Sequence, residues 1–324
     1  QARNGVILTL VSSVANSYLQ LRGLDQQLEI SKKTLDVYGQ SLKFFELQFK
    51  YGQTSEMTVA QARSQYETAA AQIPQIQQQI VQLENALSLL AGRNPGPIPR
   101  GKSLVELTAP AVPGGLPSQL LERRPDIMQA EQQLIAANAQ IGAAKALYFP
   151  SISLTGAFGG SSSELSNVFN GSAKTWNFTG SVTGPIFTAG LISGQVAQAE
   201  ANQQAALANY QQTIQAAFGD VSNVLSARDQ LLQQVASQQN QVEALRNYAR
   251  LARLQYDGGY APYSTVLQAE QQLFPAELTL ARTRADSTAS VANIYKAMGG
   301  GWVEQASQLT VAATPSPEAE QSMP

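Results

Sequence analysis

Between positions 4 and 51, apolar residues recur at three- and four-residue steps or at multiples of seven: Ile7, Val11, Val14, Tyr18, Leu28, Leu35, Tyr38, Leu42, Phe45 and Phe49. That period lays them on one stripe and predicts a single long helix over 4–51. A turn over Gly52–Glu56 leads to a second helix from about Met57 to Leu90, closed by Gly92 and by Pro95, Pro97 and Pro99. Residues 93–117 carry many Gly and Pro and read as an irregular connector. A third helix runs from about Pro117 to Leu147, interrupted or begun afresh at Pro125-Asp126.

The period then changes to two. Ile152, Leu154, Gly156 and Phe158 alternate with Ser151, Ser153 and Thr155. Trp176, Phe178, Gly180, Val182 and Ile186 alternate with Asn177, Thr179, Ser181 and Thr183. These are two strands of about ten residues, with Pro150 and Pro185 at their outer ends and a long polar loop over Gly159–Thr175. Helix resumes near Gly190 and continues to about Asp257, roughly 100 Å at 1.5 Å per residue. Its apolar stripe is too thin for a globular core face. A last helix covers about Ser264–Met298 and stops at Gly299-Gly300-Gly301; the Pro/Ser/Glu-rich tail after Trp302 reads as disordered from about Ala313.

Displacing the chain on itself by 207 residues gives an ungapped match. Leu47-Gln48 falls on Leu254-Gln255, Gly52 on Gly259, Thr58-Val59 on Thr265-Val266, Gln61-Ala62 on Gln268-Ala269 and Gly92 on Gly299. The stripe of the first helix maps onto Ile214, Phe218, Val221, Leu225, Val235, Val242, Leu245, Ala249, Ala252 and Tyr256. Two helical hairpins are therefore copies of one unit. The third helix and the strand pair have no first copy after Gln1, which itself enters helical pattern at once, without an initiator Met or a signal-peptide pattern. The expectation is that a first strand pair and a signal peptide precede Gln1; lipidation on a Cys there is left open.

Composition narrows the function. Of 324 residues 14% are charged, the net charge is −2, and there is no His and no Cys. A His/Cys zinc site, a thiol nucleophile and a Ser-His-Asp triad are excluded. The even charge balance argues against a nucleic-acid partner. Val6–Val14, the longest apolar stretch, is broken by Thr9, Ser12 and Ser13 and falls short of the ~20 residues of a helical span. Gln and Ala supply roughly a quarter of the chain, well above ordinary usage. Such helices suit water on two sides.

Two apolar-faced strands cannot close on themselves. Their length suits tilted strands in a bilayer, with Ile152, Leu154, Phe158, Trp176, Phe178 and Val182 facing lipid and the hydroxyl residues facing a wet interior. Phe149, Phe158, Trp176 and Phe187 near the strand ends suit interfacial girdles. A soluble layer packed on the helices remains open on the alternation alone, as does a coiled-coil or filament protein without membrane insertion. An enzyme is the remote third reading; Asp220 and Asp229 are unpocketed carboxylates.

The run Glu122-Arg123-Arg124-Pro125-Asp126-Ile127, then Ala130-Glu131, Ala136-Ala137, Ile141-Gly142-Ala143-Ala144 and Phe149-Pro150-Ser151-Ile152-Ser153-Leu154-Thr155-Gly156, closely resembles the TolC-type outer-membrane efflux family, in its OprM-like branch. Gly184-Pro185-Ile186-Phe187 with Gly190 fits as well, and the likeness reaches to about Trp302. The resemblance implies a mainly α protein with a membrane β-hairpin: a homotrimer combining a long-helix periplasmic α-barrel with a twelve-stranded transmembrane β-barrel. It implies a passive duct without cofactor, docking a periplasmic adaptor and an inner-membrane proton-driven exporter. On this reading 1–92 is the first helical hairpin and 93–117 an equatorial connector. Residues 118–148 are the second repeat's first helix, 149–187 the outer-membrane hairpin, 188–299 the second helical hairpin and 300–324 an equatorial tail.

The resemblance also places the tip turns, Gly52–Thr58 and Gly259–Thr265, at the periplasmic end where the pore narrows and the adaptor docks, with Gly52 and Gly259 at their centres. Tyr66-Glu67 matches the family's Tyr-Asp pair with a longer acid. Gln268 and Gln271 stand where the branch carries Asp and Arg, so a latch here loses charge assistance. Arg123-Arg124-Pro125-Asp126 reads as a helix start, with Pro at the first position and Asp in the first turn. Pro74 and Pro275 predict kinks inside helices and are unrelated by the repeat.

Overall fold

The computed structural model of the chain describes residues 2–104, 106, 122–169, 171 and 174–300. In order these form α1 (Ala2–Lys50), α2 (Glu56–Leu90), α3 (Pro125–Ala146), β1 (Ser151–Gly160), a 3₁₀ turn (Leu165–Asn167), β2 (Lys174–Thr183), α4 (Leu191–Asp257) and α5 (Tyr263–Ala297). Two compact units share them: one built from residues up to 126 with those from 216 onward, the other from 127–215.

The repeat survives in the backbone. α2 and α5 start and end 207 residues apart, and so do the ends of α1 and α4. All four hairpin helices close alike. Gly52 (φ 71°), Gly92 (φ 67°), Gly259 (φ 73°) and Gly299 (φ 85°) are left-handed. After α1, Gly52 N–H donates to the Phe49 carbonyl and Gln53 N–H to the Gln48 carbonyl. After α4, Gly259 donates to Tyr256 and Tyr260 to Gln255. This is the Schellman arrangement, which satisfies the last carbonyls and needs a residue free to adopt positive φ. The second ends match too: Gly92 to Leu89 and Arg93 to Ser88, Gly299 to Lys296 and Gly300 to Tyr295.

In the first unit α1 packs against both α2 and α5. That double contact corrects the single predicted stripe. Of its members only Tyr38 and Phe45 are buried, and Phe49 is 46% exposed, whereas Leu8, Ser12, Leu21, Gly23, Ser31 and Ser41 are buried. A helix with neighbours on two sides buries two faces, and the small residues sit where backbones come closest. The core falls into three clusters along the helices. Leu21, Ile76, Ile80 and Leu87 lie nearest the connector, Tyr38, Ala69 and Phe274 in the middle, and Phe45, Val59, Ala62, Ala252, Tyr263, Val266 and Ala269 at the turns.

The connector is strapped to this unit. The Arg100 guanidinium bonds Asp25 of α1 and Glu84 of α2, and Glu84 also accepts from Ile98 N–H at 3.1 Å. Arg22 bonds Asp25 at 2.6 Å and the Lys102 carbonyl, and Tyr18 Oη accepts from Gly101 N–H at 2.8 Å. Arg124 makes a second hub: its guanidinium reaches Asp126 (2.7 Å), Asp220 (3.0 Å) and the carbonyls of Ala217 and Ala297. Cationic charge at the last carbonyl of α5 complements that helix's dipole. Pro125 opens α3 with Asp126 in its first turn, as expected; the predicted start near Pro117 lies outside the described residues.

In the second unit, Lys145 of α3 pairs with Glu200 of α4 at 3.7 Å. β1 and β2 form an antiparallel two-stranded sheet in register from Ser151↔Thr183 to Gly160↔Lys174. The strands run further into the loop than predicted, and β2 stops at Thr183 rather than Ile186. A Cβ on Gly184 would lie 3.1 Å from the Pro150 ring, and Pro185 has no N–H to continue the ladder.

Candidate functional site

The hairpin register makes one face apolar from Ile152 to Phe158, with Lys174 opposite Gly160 ending it at the loop. Ile152 pairs with Val182, Leu154 with Gly180, Gly156 with Phe178 and Phe158 with Trp176. Each glycine stands opposite a large side chain, so neighbouring side chains can spread over it. Trp176 and Phe178 stack at 6.1 Å with planes 10° apart. The other face pairs Ser151 with Thr183, Ser153 with Ser181 (hydroxyls 2.7 Å apart) and Thr155 with Thr179. All six residues expected to face lipid are bare, from Ile152 at 83% to Phe178 at 69% exposure. Phe158 and Trp176 mark the loop end of this face, while Phe149 and Phe187, also exposed, flank the other end. Among the described residues no helix is long and apolar enough to cross a membrane.

At the other candidate region, the two tip turns stand on a shared aromatic core. The Phe45 ring lies 4.2 Å from Tyr263 and 6.1 Å from Tyr256, which are 5.5 Å apart. α2 begins at Ser55, whose hydroxyl accepts from Thr58 N–H, whereas α5 begins at Pro262 with no side-chain cap. The second turn is therefore held by packing more than by hydrogen bonds at its helix start.

Of the four expected gate residues, Tyr66 is half-buried against Tyr38 and lies along Gly39, while Glu67, Gln268 and Gln271 are exposed. Among the described residues no hydrogen bond joins any of the four to another. The side chain that fastens α2 to α5 is Gln65, whose Nε2 donates to the Leu267 carbonyl at 3.3 Å. Sequence reasoning passed over Glu270, between the two exposed glutamines. Its Oε2 is enclosed without a hydrogen-bond partner, and Tyr38 Oη donates to its backbone carbonyl at 3.3 Å. Burial pushes the carboxyl up to about 7, with Arg253 drawing it back. Burial likewise pushes the Tyr263 phenol up to about 12 and the Tyr38 phenol higher still, both helped by the Glu270 charge. The signal was present as a seven-residue series, Tyr263, Glu270 and Glu277, running through the buried side of α5.

Asp220 is engaged by Arg124 and is not a free carboxylate. Among the described residues there is no cluster of three or more His, Cys, Asp or Glu able to hold a metal ion.

Comparison with known proteins bears on the whole arrangement. The sequence matches the profile of the outer membrane efflux protein family over residues 1–93 and 116–300. It is 41% identical over 305 residues to the probable outer membrane lipoprotein SilC of Salmonella typhimurium, covering 94% of this chain and 66% of SilC. It is 40% identical to the cation efflux system protein CusC of Escherichia coli O6:H1 (93% and 66%). To the solvent efflux pump outer membrane protein SrpC of Pseudomonas putida it is 39% identical (93% and 64%). The chain thus spans just under two thirds of the length of these relatives. Its fold superposes on a crystal structure of CusC with a TM-score of 0.82 at 39% identity, covering 93% of this chain and 70% of that one. On the open state of the Neisseria gonorrhoeae MtrE outer membrane channel the TM-score is 0.81 at 33% identity, covering 93% and 68%. With the duplicated helical hairpins, the bare-faced strand pair and these matches in agreement, the chain belongs to the outer membrane efflux protein family.

Proposed function

We propose that this chain is the body of an outer-membrane export duct, a passive channel without catalysis. The observation that carries the reading is the strand pair: ten residues per strand, one face apolar in register and wholly bare, the other lined with hydroxyls. That is the pattern of a β-barrel wall with lipid outside and water within. Three copies, each with a second strand pair, close a barrel without free edges, and their α1, α2, α4 and α5 helices form the periplasmic tube. Residues 1–92 and 188–299 are the two helical hairpins of that tube, 93–104 and 106 belong to its equatorial belt, 122–148 to the second repeat's first helix and 149–187 are the membrane hairpin; the rest of the expected connector and the expected tail after 300 lie outside the described residues.

The tip turns around Gly52 and Gly259 dock a periplasmic adaptor, which couples the duct to an inner-membrane proton-driven exporter. Gln268 and Gln271, exposed and uncharged, make an amide gate with Tyr66 and Glu67 that closes less tightly than one built on ion pairs. CusC is named for cation efflux and SrpC for solvent efflux. A wet duct selects little, so cargo selection falls to the exporter. The reading is tested by expressing the complete gene product, separating inner and outer membranes, and measuring conductance of the purified protein in planar bilayers. Stable conducting trimers from the outer-membrane fraction support it; a monodisperse monomer soluble without detergent sinks it.

A further inference from the structure

Glu270 occupies an unusual place in the seam between α1 and α5. Before it on α5, Val266 and Ala269 are buried in the tip core; after it, Phe274 is buried against Tyr38 and Ala69. Its carboxyl Oε2 is enclosed and makes no hydrogen bond. The titratable and charged groups that interact with it are Tyr38 from α1, Arg253 from α4 and Tyr263 from its own helix. Arg253, which draws the carboxyl back, makes no contact ion pair with it and pairs instead with Asp257 at 3.3 Å. An ionised carboxylate here keeps one oxygen enclosed without a contact counter-ion, which is costly, whereas the protonated acid is tolerated.

The helix is weakest at the same point. Pro275 lies inside α5 and has no N–H for the Gln271 carbonyl, and its ring crowds that carbonyl. Glu270 thus sits one residue from a break in the α5 ladder, on the face that touches α1.

We infer that Glu270 is a proton-operated latch on the α1–α5 seam. Protonated, it lets α5 lie against α1 as described; ionised, it drives α5 off α1 at the Pro275 weak point and loosens the Gly258–Pro262 turn. The latch is a property of this seam; only its consequence, a wider tip, rests on the proposed duct.

The sign follows from burial. The carboxyl rises from its ordinary 4.5 to about 7 when packed. Below 4.5 the packed and loosened states are both protonated, and the seam keeps its full stability. Between 4.5 and 7 only the packed state holds the proton, so stability falls as pH rises, and above 7 it levels off.

Hydrogen exchange on the full chain across that window tests the latch. Protection factors of α5 amides over 263–275 should fall by up to about tenfold per pH unit and then level. In Glu270→Gln they should stay flat, with Glu270→Met as the second uncharged variant should the amide fold poorly. Wild-type and variant protection factors running parallel with pH overturn the latch. Bilayer conductance over the same window separates the two readings: protection that falls in a protein that conducts nothing upholds the latch and overturns the duct.

Discussion

Gly23 of α1 and Ala285 of α5 meet so closely that a Cβ at position 23 would lie 2.5 Å from the Ala285 Cβ. Real Cβ atoms do not approach so near, so the two backbones touch here because neither residue is larger. Gly23→Ala gains helix propensity but forces α1 and α5 apart, and overpacking outweighs that gain. The expected cost is about 1–2 kcal/mol of stability. Thermal unfolding of Gly23→Ala, and its recovery in the double variant with Ala285→Gly, checks the contact; an unchanged midpoint for the single variant contradicts it.

The connector strap has its own acid limit. Burial pushes the Glu84 carboxyl up, but the bonds from Arg100 and from Ile98 N–H outweigh it and hold the group below its ordinary 4.5. A depressed folded value means the strap's contribution is whole above 4.5 and is lost as pH falls through the folded value. Glu84→Gln removes that dependence. Calorimetry at pH values below 4.5 should show the wild-type midpoint dropping towards that of the variant; curves that stay parallel refute the assignment. This window lies below the one in which Glu270 acts, so the two groups are separable.

The hairpin faces should answer differently to charge. Leu154 is mid-strand on the apolar face, and Thr155 beside it points to the other. Lys on the lipid face of a barrel costs about 2–4 kcal/mol near the midplane and little on the wet face. Leu154→Lys should deplete the protein from the outer-membrane fraction, whereas Thr155→Lys should remain there. Equal loss of both places the hairpin away from lipid.

For the amide gate, replacing Gln268 and Gln271 together by Ala in the assembled trimer should raise single-channel conductance. Tyr66→Phe gives a milder control, because its ring packs against Tyr38 and only the hydroxyl is removed. Conductance that is the same in the double variant and the wild type removes both glutamines from the gate.

Much of this molecule was legible along the chain. Helix starts and stops were readable because their causes are local: left-handed Gly52, Gly92, Gly259 and Gly299 close four helices, and Pro125 opens one. The strand alternation named every apolar residue of the hairpin face, since side-chain direction in a strand is set by position alone. The buried face of α1 was misread, because Ser12, Gly23 and Ser31 carry no hydrophobic signal and owe their burial to a second neighbouring helix. Glu270 was missed for a related reason. Its polarity suggested solvent, and only the packing of α1, α4 and α5 around it says otherwise.

The amino-acid sequence by itself determined the repeat, the element order, the hairpin with its two chemically distinct faces, and the exclusion of thiol, histidine and zinc chemistry. Each follows from residue type and spacing, which local sterics and periodicity translate directly into backbone. Tertiary structure alone decided which face of each helix is buried, that Arg100 and Arg124 tie distant segments into hubs, and that one carboxylate between two exposed glutamines is enclosed without a partner. Those outcomes depend on contacts between residues far apart in the chain, and burial is a property of the neighbours a side chain acquires on packing.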